Sequence, residues 1–422
     1  MLENNQQLSS NGPTRCRSLE QENFVRIEMK KFGAIACAIA ACALMSWSAS
    51  AQDAFPEMKA DPHWPKLPPT WMLGHTETVI VDKDDNIWIG HYVGPMDRRM
   101  DHSLMGLNQV PVISECCIPA PEVLQLDVDG NVLRAWGGPG YVPQWPEALH
   151  AFWVDKKLNV WLAGNHGSDR NVLKFTADGK LLLEIGSLDT PIGQYRSIRG
   201  EQTEPDNQAI DKLGGPAGIT VDDDANEVYI ADGFINKRVM VYDSNTGKFK
   251  RGWGGYGIPL SEIPNTKLAR NIQEGRDREP FGAEKGGFTG PIEGIRISND
   301  GLVYVGDRDG GRIQVFQKSG SFVKEIFTGW DHPMKGWLPS GFTFSRDKEQ
   351  KYLIVTDGTN QRVRILRRDN GAEVSNFGSF GKNAGQFGSH LNWVDIDSKG
   401  NMYTLEVRYM DRAQKFVPVR KK

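Results

Sequence analysis

The sequence predicts an all-β fold, a six-bladed β-propeller whose last blade is closed by a strand from the N-terminal part of the chain. Residues 213–255 show the repeating unit most clearly, because four short apolar runs there are separated by gaps rich in Asp, Asn and Gly. These residues favour turns, and four antiparallel strands in roughly 40 residues are typical of one propeller blade. The fold class therefore follows from this unit, from its recurrence along the chain and from its incomplete last copy.

The unit recurs six times, at residues 78–138, 151–186, 218–253, 294–327, 341–378 and 393–417. The sixth repeat ends one strand short. A strand from the start of the chain would complete it, since closing the ring removes the exposed edge that an open sheet would leave. We expect residues 69–74 (PTWMLG) to be that strand and to pair with residues 413–417; a linker is the alternative interpretation of this segment.

The segment before the repeats has the pattern of an export signal. Residues 1–28 are polar, and Met29 with two lysines then opens an apolar run that ends in small residues. A cationic start, a short apolar core and an A-x-A ending are typical of a secretory signal peptide, here residues 29–51 with cleavage after Ala51. The apolar run is too short for a comfortable membrane span, so we expect no membrane span.

This pattern predicts the domain organisation and the location. Residues 1–28 are a polar leader that is not translated if Met29 is the true start, residues 52–68 are an extended segment, and residues 69–422 form the propeller. We expect the protein in the periplasm or outside the cell. Cleavage at Cys42, which would make a lipoprotein, is the alternative.

Composition narrows the classes of partner. The 422 residues carry a formal net charge of -3 and show no basic stripe, so we expect no nucleic acid partner.

The predicted mature chain keeps two of the five cysteines, the adjacent Cys116 and Cys117. An exported protein meets oxidising conditions, which favour a vicinal disulfide; two buried thiols or a simple loop staple are the alternatives. The sequence leaves the oligomeric state open.

Three long insertions interrupt the repeats, at residues 91–120, 187–214 and 256–290. The first lies between the second and third strands of its repeat, and the other two precede first strands. In a propeller these loops emerge on one face, here called the top face, and repeat proteins bind on the face that carries the insertions. The spacing therefore predicts a binding site on the top face, with chance agreement of three insertions as the alternative.

One position in each repeat, five residues before the Asp or Ser that ends the first strand, should face the axis of the ring on the top face. We name these six the rim residues: Glu77, His150, Ala217, Glu293, Ser340 and Asn392. Carboxylates, an imidazole and an amide that converge on one axis suit acid–base chemistry or a divalent metal, either zinc or calcium. A polar, water-filled channel is the alternative.

A second set of polar residues follows the second strands on the same face: His91, His166, Asp232, Asp307, Arg308, Asp357 and Glu406. Three of the aspartates are equivalent in three repeats, which indicates a structural role in turn hydrogen bonds. Arg308 and His91 are not repeated and are better site candidates. His166 lies in a Gly-rich turn, and a solvent-exposed loop is its alternative interpretation.

The segments YIADGFINKRVMVY and YVGDRDGGRIQVF resemble NHL repeats. With six blades, the chain resembles propellers of the peptidyl-α-hydroxyglycine α-amidating lyase type over residues 69–417, and especially their exported bacterial relatives. This resemblance implies a zinc ligand at His150 and a substrate-binding arginine at Arg308, with another such position near Tyr92. It implies the fold more specifically than the activity.

At other positions the chain departs from that family. Glu293 and Asn392 stand where the resemblance implies the remaining zinc histidines, with His390 two residues from Asn392. Phe234 stands at the position of the base tyrosine and cannot take a proton. The scaffold thus resembles the lyase, while most of the catalytic set is replaced.

We therefore expect an exported enzyme, a lyase or hydrolase, that acts on a small anionic or hydroxylated substrate in a central pocket of the top face. The expected catalytic residues are His91, His150, Glu293 and Arg308. The expected ligands of a divalent metal are Glu77, His150, Glu293, His390 and Asn392. The expected substrate-binding residues are Tyr92, Cys116, Cys117, His166, Phe234 and Arg308, with the cysteines in a lid. A non-catalytic propeller that binds a ligand or a protein in the cell envelope is the alternative.

Overall fold

The computed structural model describes residues 55–92, 113–165, 169–187, 204–265, 287–328, 338–388, 390–407 and 410–419. Phe55–Lys422 forms one compact unit. The predicted leader and signal peptide, His166 and most of the three insertions lie outside the described residues. Within the described ranges, no helix is both long and apolar enough to cross a membrane.

Six four-stranded antiparallel sheets form the blades of a propeller, as the sequence predicts. Blade one contains β3 (His75–Val81), β4 (Ile87–Tyr92), β6 (Val123–Leu126) and β7 (Val132–Trp136). Blade two contains β8 (Leu149–Val154), β9 (Val160–Gly164), β10 (Asn171–Phe175) and β11 (Leu181–Gly186). Blade three contains β12 (Pro216–Asp222), β13 (Glu227–Asp232), β14 (Arg238–Asp243) and β15 (Phe249–Trp253).

The other three blades repeat this order. Blade four contains β16 (Ile292–Ile297), β17 (Val303–Asp307), β18 (Arg312–Phe316) and β19 (Phe322–Phe327). Blade five contains β20 (Phe342–Phe344), β21 (Tyr352–Asp357), β22 (Arg362–Arg367) and β23 (Glu373–Phe377). Blade six contains β24 (His390–Ile396), β25 (Met402–Val407), β26 (Arg412–Pro418) and β1 (Met58–Asp61). Two 3₁₀ turns, Gly255–Gly257 and Leu260–Glu262, follow blade three.

The hydrophobic core is divided among the six interfaces between neighbouring blades. Each interface holds one cluster of buried side chains from the two blades that it joins. Trp88 of blade one and Phe152 of blade two lie in one such cluster, for example. First strands of neighbouring blades contact one another around the axis, while fourth strands are partly exposed. Side chains on the first strands are therefore the ones that can meet at the centre.

An N-terminal strand closes the ring, but the predicted segment is the wrong one. β1 pairs antiparallel with β26, with Met58 opposite Pro418 and Asp61 opposite Lys415. Trp71 and Met72 instead form β2, which pairs in parallel with β5 (Ile118–Pro119) of the first insertion. Residues 58–61 thus belong to the propeller, which begins before residue 69.

The packing explains the error. Outer strands are half-exposed, so MKAD needs little apolar patterning to fill that place. The apolar residues of the following segment serve another purpose, because Trp64, Trp71 and Leu73 pack on the cluster between blades six and one. They stabilise the junction that β1 closes.

Candidate functional site

The rim residues coincide with irregularities of the first strands. The register of the first two strands shifts between Thr76 and Thr78, and equivalent shifts occur at the rim residues of blades two, three, four and six. In blade five, Ser340 lies just before β20. A β-bulge leaves one residue unpaired with the neighbouring strand and re-aims its side chain. At the bulges, the rim side chains therefore depart from the regular alternation of the strand and are available for other contacts.

Hydrogen bonds tie the rim residues, and Thr78 next to one of them, to the neighbouring blade. Thr78 Oγ1 donates to the carbonyl of His150 over 2.7 Å. His150 Nδ1 donates to the carbonyl of Ala217 over 3.1 Å, and Asn392 Nδ2 donates to the carbonyl of Glu77 over 2.9 Å. These bonds cross blade boundaries, so they fix the rim side chains relative to one another.

Gly218 lies very close to the first strand of blade four. A Cβ atom at this position would lie 2.1 Å from the carbonyl oxygen of Glu293. Only glycine lets the two first strands come this near. The backbone that carries Glu293 is thereby held against blade three.

Glu77 lies where blades one, two and six meet. Its Oε2 accepts from Asn392 Nδ2 over 2.8 Å and lies 3.5 Å from His150 Nε2. Its Oε1 lies 3.7 Å from Nδ1 of His75, whose ring stacks on Tyr92 with centroids 4.9 Å apart. All five side chains are buried. Glu77 is thus the acidic centre of one half of the ring.

Glu293 is the acidic group of the other half. It is 1% exposed, and its Oε1 accepts from Nη1 of Arg308. Its Oε2 is buried without a hydrogen-bond partner among the described residues. Burial raises the pKa of Glu293 to about 8, against the opposing effect of Arg308 and with a contribution from Glu77. A carboxyl group with this pKa can take or release a proton near neutral pH.

Two buried histidines of the ring are neutral at neutral pH. Burial lowers the pKa of His150, and Glu77 opposes this effect. Burial lowers the pKa of His390 well below its usual value, with further lowering by Arg308 and His150. His390 Nε2 lies 2.9 Å from Oγ of Ser340. The ring therefore joins neutral imidazoles to two acidic groups and one guanidinium.

Phe234 lies between the basic and the imidazole side chains. Its ring centroid is 4.8 Å from that of His150, and the guanidinium carbon of Arg308 lies 5.9 Å from its centre. Nε of Arg308 also donates to Oδ1 of Asp309 over 3.2 Å. The described contacts thus connect His150, Phe234, Arg308 and Glu293 across blades two, three and four.

His91 binds backbone groups with both ring nitrogens. The N–H of Gly74 donates to its Nδ1 over 3.1 Å, and its Nε2 donates to the carbonyl of Pro121 over 3.0 Å. These bonds join the segment before β3 to the end of the first insertion. Both ring nitrogens thus contact the backbone, and a catalytic role for His91 stays a prediction.

Cys116 and Cys117 form a vicinal disulfide, with Cα atoms 3.7 Å apart. Cys116 is exposed and Cys117 is half-buried. The chain that follows is held to the segment before β3, because the N–H of Ile118 donates to Thr70 and that of Ala120 donates to Met72. The buried-thiol alternative is thereby set aside, and the predicted contact of the disulfide with a substrate stays a prediction.

The predicted metal ligands do not converge on one point. The 3.5 Å gap between His150 Nε2 and Glu77 Oε2 fits two ligands of one small cation, and the Ala217 carbonyl fixes the imidazole for such a role. Glu293 instead contacts Arg308, and His390 contacts Ser340. In the part of the chain that the structure describes, no three His, Cys, Asp or Glu residues are arranged as metal ligands. A divalent metal stays a prediction.

The acidic residues that end the second strands have the structural role that their repetition predicts. Asp307 accepts from the N–H groups of Thr289 and Gly290 over 3.1 and 2.8 Å and from Nε of Arg312 over 3.0 Å. Equivalent carboxylate–arginine pairs are Asp232–Arg238, Asp357–Arg364 and Glu406–Arg412. These pairs hold the top-face turns of their own blades.

Sequence reasoning missed His75. A signal was present, because His75 and His390 both lie two residues before a rim residue and both begin a first strand. Each of these histidines lies opposite the last residue of the second strand, Tyr92 or Val407. Comparison of blades one and six at this spacing would have identified His75 as a neighbour of Glu77.

Comparison with known proteins supports the NHL assignment. No protein-family model matches the chain. NHL repeat-containing protein 3 of Mus musculus is 25% identical over 320 residues, which cover 74% of this chain and 77% of that protein. Peptidyl-glycine alpha-amidating monooxygenase B of Xenopus laevis is 33% identical over 281 residues, which cover 64% of this chain and 26% of that protein. The match thus spans about a quarter of the amidating enzyme's length.

Among solved structures, a streptogramin B lyase is 12% identical with a TM-score of 0.47, covering 86% of this chain and 98% of its own. This agreement is too low to support an argument about function. The strand order and the sequence relatives carry the assignment instead. The chain is an NHL-type six-bladed β-propeller that resembles the peptidyl-glycine α-amidating enzymes.

Proposed function

We propose that the chain is an exported enzyme, a lyase or hydrolase, that transfers a proton on a small anionic or hydroxylated substrate at the rim of the propeller. The observation that carries this proposal is the buried pair of Glu293 and Arg308 within the ring of rim side chains. A carboxyl oxygen without a hydrogen-bond partner among the described residues, next to a guanidinium, suits a proton acceptor beside an anion site.

Arg308 is the group that would hold an anionic or carbonyl oxygen of the substrate. Guanidinium groups bind carboxylates in a planar, two-bond geometry. A substrate that draws Arg308 away from Glu293 removes the charge that stabilises the Glu293 carboxylate. Substrate binding would therefore raise the pKa of Glu293 further: above about pH 8, where Glu293 is ionised, it becomes a stronger base, and below that pH it holds a proton that it can donate as an acid.

His150 and Glu77 are the second acid–base pair of the proposal. His150 donates through Nδ1 to Ala217, so its Nε2, which lies 3.5 Å from Glu77 Oε2, carries the lone pair. Nε2 of His150 can accept a proton from the substrate, and the protonated imidazole next to Glu77 can return it to the leaving group. The gap between Nε2 and Glu77 Oε2 is where a divalent cation would bind if the predicted metal is present, and it would then polarise a substrate oxygen.

Phe234 is relevant to the choice of base. Because it has no ionisable group, it cannot perform the role that the amidating-lyase resemblance implies for a tyrosine at this position. Glu293 is the ionisable group with a pKa near neutrality in the same ring. The proposed chemistry thus uses a carboxylate in place of a phenolate.

The export part of the proposal is supported by the disulfide of Cys116 and Cys117 together with the signal pattern of residues 29–51. Disulfides persist in oxidising compartments and are rare in the reducing cytosol. Mass spectrometry of the secreted or periplasmic fraction would test it. A protein that retains residues 29–51 would contradict it.

The test of activity uses the purified protein with two probes, an N-acyl-α-hydroxyglycine for lyase chemistry and a nitrophenyl ester for hydrolase chemistry. Glu293→Gln should lower turnover of the active probe by about 10²-fold or more, the usual effect of losing a general acid–base group. Glu325→Gln is the matched control, because Glu325 lies in the same blade and contacts Arg312 away from the rim. Wild-type turnover in Glu293→Gln would overturn the assignment.

The second candidate is a non-catalytic propeller that binds a small ligand or a protein in the cell envelope. Phe234, which stands at the proposed centre without a proton to transfer, favours it. Elemental analysis and a melting-shift screen separate the two. A stoichiometric metal, or turnover of either probe, supports the enzyme. Ligand-dependent melting without turnover, unchanged by His150→Gln together with Glu293→Gln, supports the binder.

A further inference from the structure

A second set of first-strand residues follows the rim residues along the chain, and one of them, Arg296, contacts blades on the other side of the axis. Its members lie three residues after the rim residues in every blade: Ile80, Trp153, Thr220, Arg296, Thr343 and Asp395. We name them the axial layer. The layer contains one buried arginine, one buried aspartate and no residue that the proposed chemistry uses.

Arg296 is the centre of this layer. It is 5% exposed, and its guanidinium carbon lies 4.7 Å from the ring centre of Trp153 and 5.9 Å from that of Trp393. Nε donates to the carbonyl of Phe342 over 3.2 Å. These contacts come from blades two, five and six, so the guanidinium reaches across the axis.

Asp395 does not neutralise this charge fully. Its Oδ1 accepts from Thr343 Oγ1 over 2.8 Å, and its Oδ2 accepts from the N–H of Val81 over 3.0 Å. Arg296 Nη2 lies 3.5 Å from Oδ2, which is longer than an ordinary hydrogen bond. A second guanidinium, that of Arg346, lies 3.9 Å from Oδ1. Two arginines thus share one carboxylate, which leaves one positive charge in excess.

The hydrogen-bonding groups around Arg296 also include more buried donors than acceptors. Among the described residues, no acceptor is bonded to Arg296 Nη2, Trp153 Nε1 or Trp393 Nε1, and all three atoms are buried donors. Burial of a charge without full compensation is costly, and Arg296 is accordingly easier to deprotonate, since burial lowers its pKa despite Asp395. An acceptor with a single negative charge would correct both the charge and the donor excess.

We propose that the axial layer binds a small monovalent anion such as chloride, held by Arg296 and the indole N–H groups of Trp153 and Trp393. A divalent cation would be repelled by the excess positive charge, so this site differs in sign from the one predicted at the rim. The anion would hold blades two, four and six together at the axis.

Chloride-dependent unfolding tests the proposal. The purified protein is unfolded in urea at constant ionic strength while sodium chloride replaces sodium gluconate. A specific site lowers the unfolding equilibrium constant by a factor of one plus the ratio of chloride to Kd, about eleven-fold at ten times Kd. The response should saturate as a one-site curve in the wild type and disappear in Arg296→Gln.

Arg251→Gln is the matched control. Arg251 also pairs with a carboxylate, that of Glu227, but lies on the fourth strand of blade three. It should keep the wild-type chloride response. An equal loss in both variants, or the absence of any response in the wild type, would overturn the proposal.

Bromide anomalous diffraction gives an answer even if Arg296→Gln does not fold. Crystals of the wild type soaked in sodium bromide should show a peak between Arg296 and the two indole rings. Peaks only on the outer surface would overturn the proposal, whatever the unfolding data show.

Discussion

Blade four contains two buried carboxylate–arginine pairs. They have the same chemical groups but differ in their position in the blade and in their hydrogen-bond partners. Asp307 and Arg312 are joined at the end of the second strand, where backbone N–H groups complete the set of partners. Glu293 and Arg308 are joined at the bulge of the first strand, where one carboxylate oxygen has no hydrogen-bond partner among the described residues. The first pair has equivalents in three other blades, and the second occurs at this rim position alone among the described blades.

This difference distinguishes the pair that stabilises the propeller from the pair that is available to a ligand. A carboxylate whose acceptor sites are filled by the backbone lowers the free energy of the folded state and has no acceptor site available for a ligand. A carboxylate that is buried but incompletely bonded costs free energy, and such a cost is expected where a group must change partner or protonation state.

The largest effect on stability is expected at the repeated pair. Asp307→Ala leaves Arg312 buried without its main partner, so the free energy of unfolding should fall by about 3–5 kcal/mol. Glu325→Gln removes only the partly exposed partner of the same arginine and should cost about 1 kcal/mol or less. Urea denaturation measures both. Equal losses would show that the buried pair has no special role.

The rim pair should instead show its effect through pH. The pKa of Glu293 rises from 4.5 to about 8 on folding, so between these values the folded protein keeps a proton that the unfolded chain has released. Wild-type stability should therefore decline as pH rises through this interval, relative to Glu293→Gln, in which nothing titrates.

Urea denaturation across about pH 5 to 9 measures this difference. The free energy of unfolding of Glu293→Gln minus that of the wild type should increase up to about pH 8 and then level off. The low pKa values of His150 and His390 give an opposite slope, but both proteins share it. Parallel curves for the two proteins would contradict the raised pKa.

The smallest effect is expected at the bond between Thr78, which follows the rim residue Glu77, and the rim residue His150 of blade two. Thr78→Val keeps the shape of the side chain and removes the hydroxyl that donates to His150, so it should cost about 1 kcal/mol. Thr246→Val removes the hydroxyl of an exposed turn and should change stability by no more than about 0.5 kcal/mol. A larger loss at Thr246 than at Thr78 would argue against a rim that is fixed by these bonds.

The local sequence pattern was enough to predict the strands of the blades and the positions of the rim residues. Turn residues and apolar runs define each strand, and the fixed distance from the terminal Asp or Ser locates the rim residue. That spacing is reliable because the terminal residue is itself anchored: Asp82, Asp155 and Asp397 each bond an aromatic side chain six residues further on.

Contacts between distant segments could not be predicted in this way. The sequence MKAD gives almost no strand signal, since an outer strand needs only backbone pairing and half of its surface is exposed. The pairing of Glu293 with Arg308 was also hidden, because a bulge breaks the alternation that tells which face a side chain takes. Such features require the folded chain.

The pairing of β1 with β26 also imposes an order of events during synthesis. Residues 58–61 are synthesised before every other described strand of the propeller, and their partner, residues 412–418, is synthesised after all of them. Until then the growing chain carries an unsatisfied edge at each end of an open arc of sheets, which is the surface that chaperones shield and that neighbouring chains can mispair with. A chain interrupted before Arg412 would keep that edge permanently.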